Sequence, residues 1–154
     1  MGSEMCIRDS SEIVELPDGG LRIGAMVTQR TLETSGIVRQ HFPALADAAA
    51  LIASPPIRQQ GTIGGNLCHA DPTGDPPAVL IALGAEVELV SSDGTRRLPV
   101  EDFFVDYMET TLAPDELLVA VHLPTPAAAG GNRRHRQRQG HLCRHAAGLR
   151  RGAH

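Results

Sequence analysis

Apolar and polar positions alternate first over residues 21–25, where Leu21 and Ile23 share one side and Arg22 takes the other. With the turn signal Asp18-Gly19-Gly20 in front, this predicts a short strand. Thr28 then offers a hydroxyl cap to a helix running to about Thr34, with Gly36 as its stop. A second helix follows: Pro43 suits a first turn, and Leu45, Ala48, Ala49 and Ile52 recur at helical spacing until Ser54-Pro55-Pro56 ends the run. Residues 57–74 read as a loop. Asp75-Pro76-Pro77 predicts another helix start, with Asp75 as cap, the prolines in a turn whose amides lack intrahelical acceptors, and Gly84 closing the helix. Alternation returns in Glu86-Val87-Glu88-Leu89-Val90, and Ser92-Asp93-Gly94 turns the chain into residues 96–100, which makes a hairpin. Phe103 and Phe104 open a short irregular or helical piece reaching Met108, and Leu117-Leu118-Val119-Ala120-Val121 predicts a buried strand ending before Pro124. Helices come first and strands after them, so the class is α+β.

The pattern fails at both ends. Met1 to Ser10 show no period and read as a leader foreign to the domain. From Ala127 onward the apolar period disappears and the charge changes with it. Of 154 residues, all 18 acids lie at or before Glu116, and all 14 basic residues are arginine. Residues 1–126 carry 7 Arg against those 18 acids, a net −11, whereas residues 127–154 carry 7 Arg and no acid, a net +7. Clustered arginines attract phosphate, so a basic nucleic-acid arm is one reading of the tail. The preferred reading is a shifted frame of a GC-rich gene, which yields Arg, His, Ala and Gly in quantity without lysine. The expected organisation is a non-native or disordered leader over 1–11, one domain over 12–126, and a disordered, frame-shifted basic tail over 127–154, with no nucleic-acid partner.

Several classes of function fall away. No run approaches the ~20 apolar residues that span a bilayer, and the start lacks the regions of a secretory signal. The three cysteines, Cys6, Cys68 and Cys143, have no C-x-x-C spacing, which argues against a disulfide framework and against zinc or iron–sulfur cages and favours a cytoplasmic setting. Cys68 reads as a small buried residue. No Ser/His/Asp or Cys/His constellation is present, so no catalytic residue and no metal ligand is assigned.

The chemistry concentrates in Gly61-Thr62-Ile63-Gly64-Gly65-Asn66-Leu67-Cys68-His69-Ala70-Asp71-Pro72-Thr73-Gly74-Asp75. Three glycines in five positions allow close approach of the backbone, so successive amides can converge on an anion such as a pyrophosphate, with Thr62 and Asn66 adding a hydroxyl and an amide. A tight turn that merely joins two helices is the alternative. Asp75 reads either as a helix cap or as a carboxylate facing a ligand, and His69 either as a packing residue or as part of a cofactor site.

Taken with its surroundings, this segment resembles the FAD-binding subunit or domain of the molybdenum hydroxylases, the group of xanthine dehydrogenase and the carbon monoxide dehydrogenase medium chain. The carriers are Thr62-Ile63-Gly64-Gly65-Asn66, His69-Ala70-Asp71-Pro72 and Asp75, together with residues 18–25, 101–104 and 112–118 in the same order. The resemblance implies the second lobe of a two-lobed FAD-binding (PCMH-type) domain, with helices packed on a mostly antiparallel sheet. It also implies non-covalent FAD held by Thr62, Ile63, Gly64, Gly65 and Asn66, chiefly through amides on the pyrophosphate. Asp75 would bond hydroxyls of the flavin's sugar-alcohol chain, His69 and Asp71 would line the site, and Leu117 and Leu118 would lie along the cofactor. Molybdopterin and [2Fe–2S] clusters would sit on a large and a small partner subunit, and FAD would relay electrons to NAD⁺, a quinone or oxygen. The family's first lobe, with its A-G-G loop, has no counterpart before Glu12, so the chain reads as an internal piece, inactive in isolation. A FAD-dependent oxidase of the same fold and a non-catalytic nucleotide-binding or assembly module are the competing readings.

Overall fold

A computed structural model describes residues 10–71 and 74–126. Five strands form one sheet in the spatial order Ile13–Glu15, Leu21–Gly24, Leu117–Leu123, Glu86–Ser91, Gly94–Pro99, with every neighbouring pair antiparallel. They are β1 (Ile13–Glu15), β2 (Leu21–Gly24), β3 (Glu86–Ser91), β4 (Gly94–Pro99) and β7 (Leu117–Leu123). A small hairpin of β5 (Phe104–Asp106) and β6 (Glu109–Thr110) stands apart. The register sets Leu21 against Leu123, Ile23 against Val121 and Val87 against Val121. Period-two alternation therefore puts Leu21, Ile23, Val87, Leu89, Val121 and Leu123 on one face, all of them buried.

Helices cover that face: α1 (Gln29–Thr34), α2 (Gly36–His41), α3 (Pro43–Leu51), α4 (Pro55–Gln60), α5 (Ile63–His69), α6 (Asp75–Ala82) and the single turn α7 (Val100–Phe103). Their apolar residues, among them Leu32, Leu45, Ile63, Leu67, Leu80 and Phe103, close one core with the sheet. The opposite face is polar. There the His122 Nε2–H donates to Glu88 Oε2 at 2.5 Å, and Arg97 and Arg22 approach the same oxygen at 3.5 and 3.8 Å. The expected α+β class, helices on an antiparallel sheet, is what the chain forms.

Local differences from the expected elements have physical reasons. Residues 57–74 are not a plain loop but contain most of α4 and all of α5. In α4 the prolines that end α3 also begin the next helix at its first turn, where they cost no hydrogen bond. Arg58 then reaches back to the C-terminal carbonyls of α3, donating to Ala50 O and Ile52 O at 2.9 Å each, while its Nε lies 3.2 Å from Glu33. Gly36, expected to stop a helix, instead opens α2 behind the capping hydroxyl of Ser35. Asp75 stands one position inside α6, whose N-cap is Gly74, and its side chain makes no capping bond. Residues 104–110 pair as a hairpin, and β1 is an additional edge strand.

Other expectations held. Thr28 caps α1, its Oγ1 accepting from Thr31 N–H at 3.1 Å. Gly84, at φ +70°, ends α6 while Ala85 N–H donates to Leu80 O at 2.9 Å. Of the expected leader, residues 1–9 lie outside the described residues, but Ser10 is joined to the domain, its carbonyl accepting from Met26 N–H at 2.7 Å, just as that of Glu12, the first residue of the expected domain, accepts from Gly24 N–H at 2.9 Å. The tail reading, Cys6, Cys143, Pro72 and Thr73 also lie outside them.

Candidate functional site

The glycine segment is built onto the end of β2. Beyond that strand, residues 25–29 run antiparallel to residues 61–64, joined by Gln29 N–H to Gly61 O at 2.8 Å, Ile63 N–H to Val27 O at 2.9 Å and Gly64 N–H to Ala25 O at 2.9 Å. Ala25 N–H in turn donates to Val119 O on β7 at 2.9 Å. One residue thus ties the glycine turn to the middle strand of the sheet. Gly64 is required here: a Cβ on it would stand 2.7 Å from Ala25 Cβ and 2.8 Å from Ala25 O.

Thr62 is the N-cap of α5. Its Oγ1 accepts from Gly65 N–H at 3.1 Å and its carbonyl from Asn66 N–H at 3.0 Å. The four amides from Ile63 to Asn66 are therefore all donated within the chain, which corrects the picture of an open amide nest. A ligand at this turn meets instead an exposed Gly65 without a side chain, the Thr62 hydroxyl, the partly buried Asn66 side chain and the positive end of a short helix. Asn66 Oδ1 is buried and has no partner among the described residues. Ile63 is fully buried and serves the core, not the surface of the turn.

Leu117 and Leu118 begin β7, two and one residues before the Val119 to which Ala25 bonds, so the sheet brings them to the same end as the turn. Contrary to a buried strand throughout, Leu117 is 70% exposed, and Met26 beside Ala25 is 56% exposed, so apolar surface is offered there. The Arg96–Glu116 pair fixes the approach to β7: Arg96 Nε donates to Glu116 Oε1 at 2.6 Å, Arg96 Nη2 donates to Thr111 O at 3.0 Å, and Ala113 N–H donates to Glu116 Oε2 at 2.9 Å. The Arg96 guanidinium, aided by that amide, pulls the Glu116 carboxyl down to about 2.

The remaining expected residues gather elsewhere. His69 is the last residue of α5 and exposed, so a helix of about 10 Å separates it from Thr62. Asp71 lines a separate cavity of about 420 Å³ with Gly74, Pro77, Phe104 and Tyr107. Asp75 is exposed on the first turn of α6, and among the described residues its carboxylate has no hydrogen-bond partner, so it is open to a ligand hydroxyl. Cys68 is exposed, not buried, although partial desolvation still pushes its thiol up. No group of three metal-ligating side chains occurs among the described residues, and no helix there is long and apolar enough to cross a membrane. Ala25 and Met26 were not recognisable as site residues, because nothing local marks the residue after a strand as the one that will hold a loop 40 positions away.

The fold and the docked turn place the chain in a defined class of cofactor-binding domain: it belongs to the family described as the FAD binding domain in molybdopterin dehydrogenase, whose model matches residues 6–126. It is 42% identical over 107 residues to the 6-hydroxypseudooxynicotine dehydrogenase complex subunit alpha of Paenarthrobacter nicotinovorans, an alignment covering 70% of this chain and 36% of that one. It is 37% identical over 127 residues to the carbon monoxide dehydrogenase medium chain of Afipia carboxidovorans, covering 81% and 44% respectively. Among solved structures, carbon monoxide dehydrogenase from Hydrogenophaga pseudoflava superposes with a TM-score of 0.75 at 39% identity, over 80% of this chain and 42% of that one. The chain spans about two fifths of the length of these relatives.

Proposed function

We propose that this chain is the FAD-contacting lobe of a flavoprotein component in a molybdenum-containing hydroxylase or dehydrogenase. The observation that carries the reading is the Thr62–Asn66 turn, anchored on the sheet by Ala25 in a chain of this family. Non-covalent FAD is retained by the parent protein, with its pyrophosphate over Gly65, the Thr62 hydroxyl and the Asn66 side chain. The dianion needs no lysine here, because the helix start and neutral donors share the task. Asp75 accepts from hydroxyls of the cofactor's chain, and Leu117, Leu118 and Met26 exclude water from its apolar parts. Asp71 and His69, at the far end of α5, act at the edge of the site and not on the pyrophosphate.

Bound FAD supplies the ability to accept electrons singly and release them as a pair. The chain's own part is to bind, orient and shield. Substrate oxidation belongs to a molybdopterin-bearing large subunit, and delivery of electrons to a [2Fe–2S] small subunit. The names of the relatives, medium chain and complex subunit, support this division. A cytoplasmic setting agrees with three cysteines that have no paired spacing.

The test is flavin retention by the chain with a relative's upstream lobe fused before residue 12. Asp75→Ala and Gly65→Val are each expected to weaken FAD binding about tenfold or more, as a lost charge-assisted bond or a blocked approach would. A valine at position 65 brings carbon to 3.0 Å from Thr62 Oγ1 and covers the open surface. Flavin absorbance indifferent to both substitutions would overturn the assignment.

A further inference from the structure

Beneath the turn lies a polar side chain for which packing gives no reason. Gln29, in the first turn of α1, is 1% exposed. Its Nε2–H donates to Thr62 O at 3.4 Å, a long bond to a carbonyl that already accepts from Asn66 N–H, and its Oε1 is buried without a partner among the described residues. A methionine of similar volume would fill the same space and leave no buried oxygen unpaired. What methionine cannot do is donate to Thr62.

We propose that Gln29 is a positioning residue for the cofactor turn, holding the Thr62 carbonyl from inside the core and so setting the first turn of α5. The proposal rests on the reading that this turn meets the FAD pyrophosphate. Thr62 caps α5 with its hydroxyl on Gly65 N–H, so the plane of its peptide decides where that hydroxyl and the open face of Gly65 point. Gln29 secures the two peptide groups that flank Thr62, its backbone N–H on Gly61 O before it and its side chain on Thr62 O after it. It touches no ligand itself; it acts through Thr62.

The test compares the full chain with Gln29→Met and Gln29→Glu, reading amide hydrogen exchange by NMR without cofactor. In Gln29→Met, exchange at Gly65 and Asn66 is expected to quicken about three- to tenfold, which is the loss of one hydrogen bond of ordinary net strength. The sheet amides of Val87 and Val121 are expected to stay unchanged. In Gln29→Glu, exchange at Gly65 and Asn66, relative to the wild-type chain at the same pH, is expected to return toward wild type on acidification, because a protonated carboxyl again donates to Thr62 O. Unchanged exchange in a folded methionine variant overturns the proposal. Should that variant fail to fold, a pH-independent ratio in the glutamate variant overturns it equally. FAD titration of the fusion that carries a relative's upstream lobe separates the two ideas: quickened exchange with no wild-type FAD binding leaves the positioning role standing and sinks the FAD reading, and tight FAD binding with unchanged exchange does the reverse.

Discussion

Gly64 and Glu116 show how differently single residues act at this site. Gly64 is fixed by space: even alanine puts a Cβ inside contact distance of Ala25, so Gly64→Ala is expected to cost about 1–3 kcal/mol in urea unfolding and to loosen the turn from the sheet. Glu116 is fixed by charge. Its carboxyl titrates at about 2 in the fold against an ordinary value near 4.5, so the folded form binds its proton less readily than the unfolded one. The stability this contributes is complete above about 4.5 and disappears as pH falls through about 2. Acid unfolding of Glu116→Gln, followed by circular dichroism, is expected to be less steep over that window than unfolding of the parent chain. At this scale the sequence was a partial guide. The Thr62-Ile63-Gly64-Gly65-Asn66 pattern marked the turn, but not that its amides would all be spent internally, because the acceptors of Ile63 and Gly64, Val27 and Ala25, lie far off in sequence, just past β2. Gln29 was invisible for the same reason: a glutamine after a capping threonine reads as a surface position.

Elements were legible where local chemistry and burial agree. The alternation in β2 and β3, the Thr28 cap and the Gly84 stop all carry their own mechanism, and all formed. Gly84→Ala, forced to keep φ near +70°, is expected to lose about 1–2 kcal/mol, seen as a lowered thermal midpoint. The failures came where propensity and packing disagree. Gly64 and Gly65 argue against a helix by about 1 kcal/mol each, yet α5 forms because Thr62 caps it and Ile63 and Leu67, four positions apart, are both fully buried. That apolar pair was the signal available in the sequence, overshadowed by the glycines around it. Leu67→Ala is accordingly expected to cost about 2–5 kcal/mol and to release the whole of α5, read as lost amide protection from 63 to 69.

Across the whole molecule, the sheet has two unlike faces and the site occupies one of its ends. Helices seal one face into the core, the other carries the Arg22, Glu88, Arg97 and His122 cluster, and the turn sits where β2 passes into α1. That arrangement belongs to topology, which the resemblance to molybdenum hydroxylase flavin domains conveyed as a class and which no window of sequence conveys by itself. The link through Ala25 has a thermodynamic consequence. Because the turn is bonded to the strand extension and through it to β7, its conformational entropy is surrendered when the sheet folds and not when a ligand arrives. On the proposed reading, affinity at the turn is then a property of the sheet as well: a substitution that loosens β2 from β7 is expected to weaken binding without altering any atom the ligand touches.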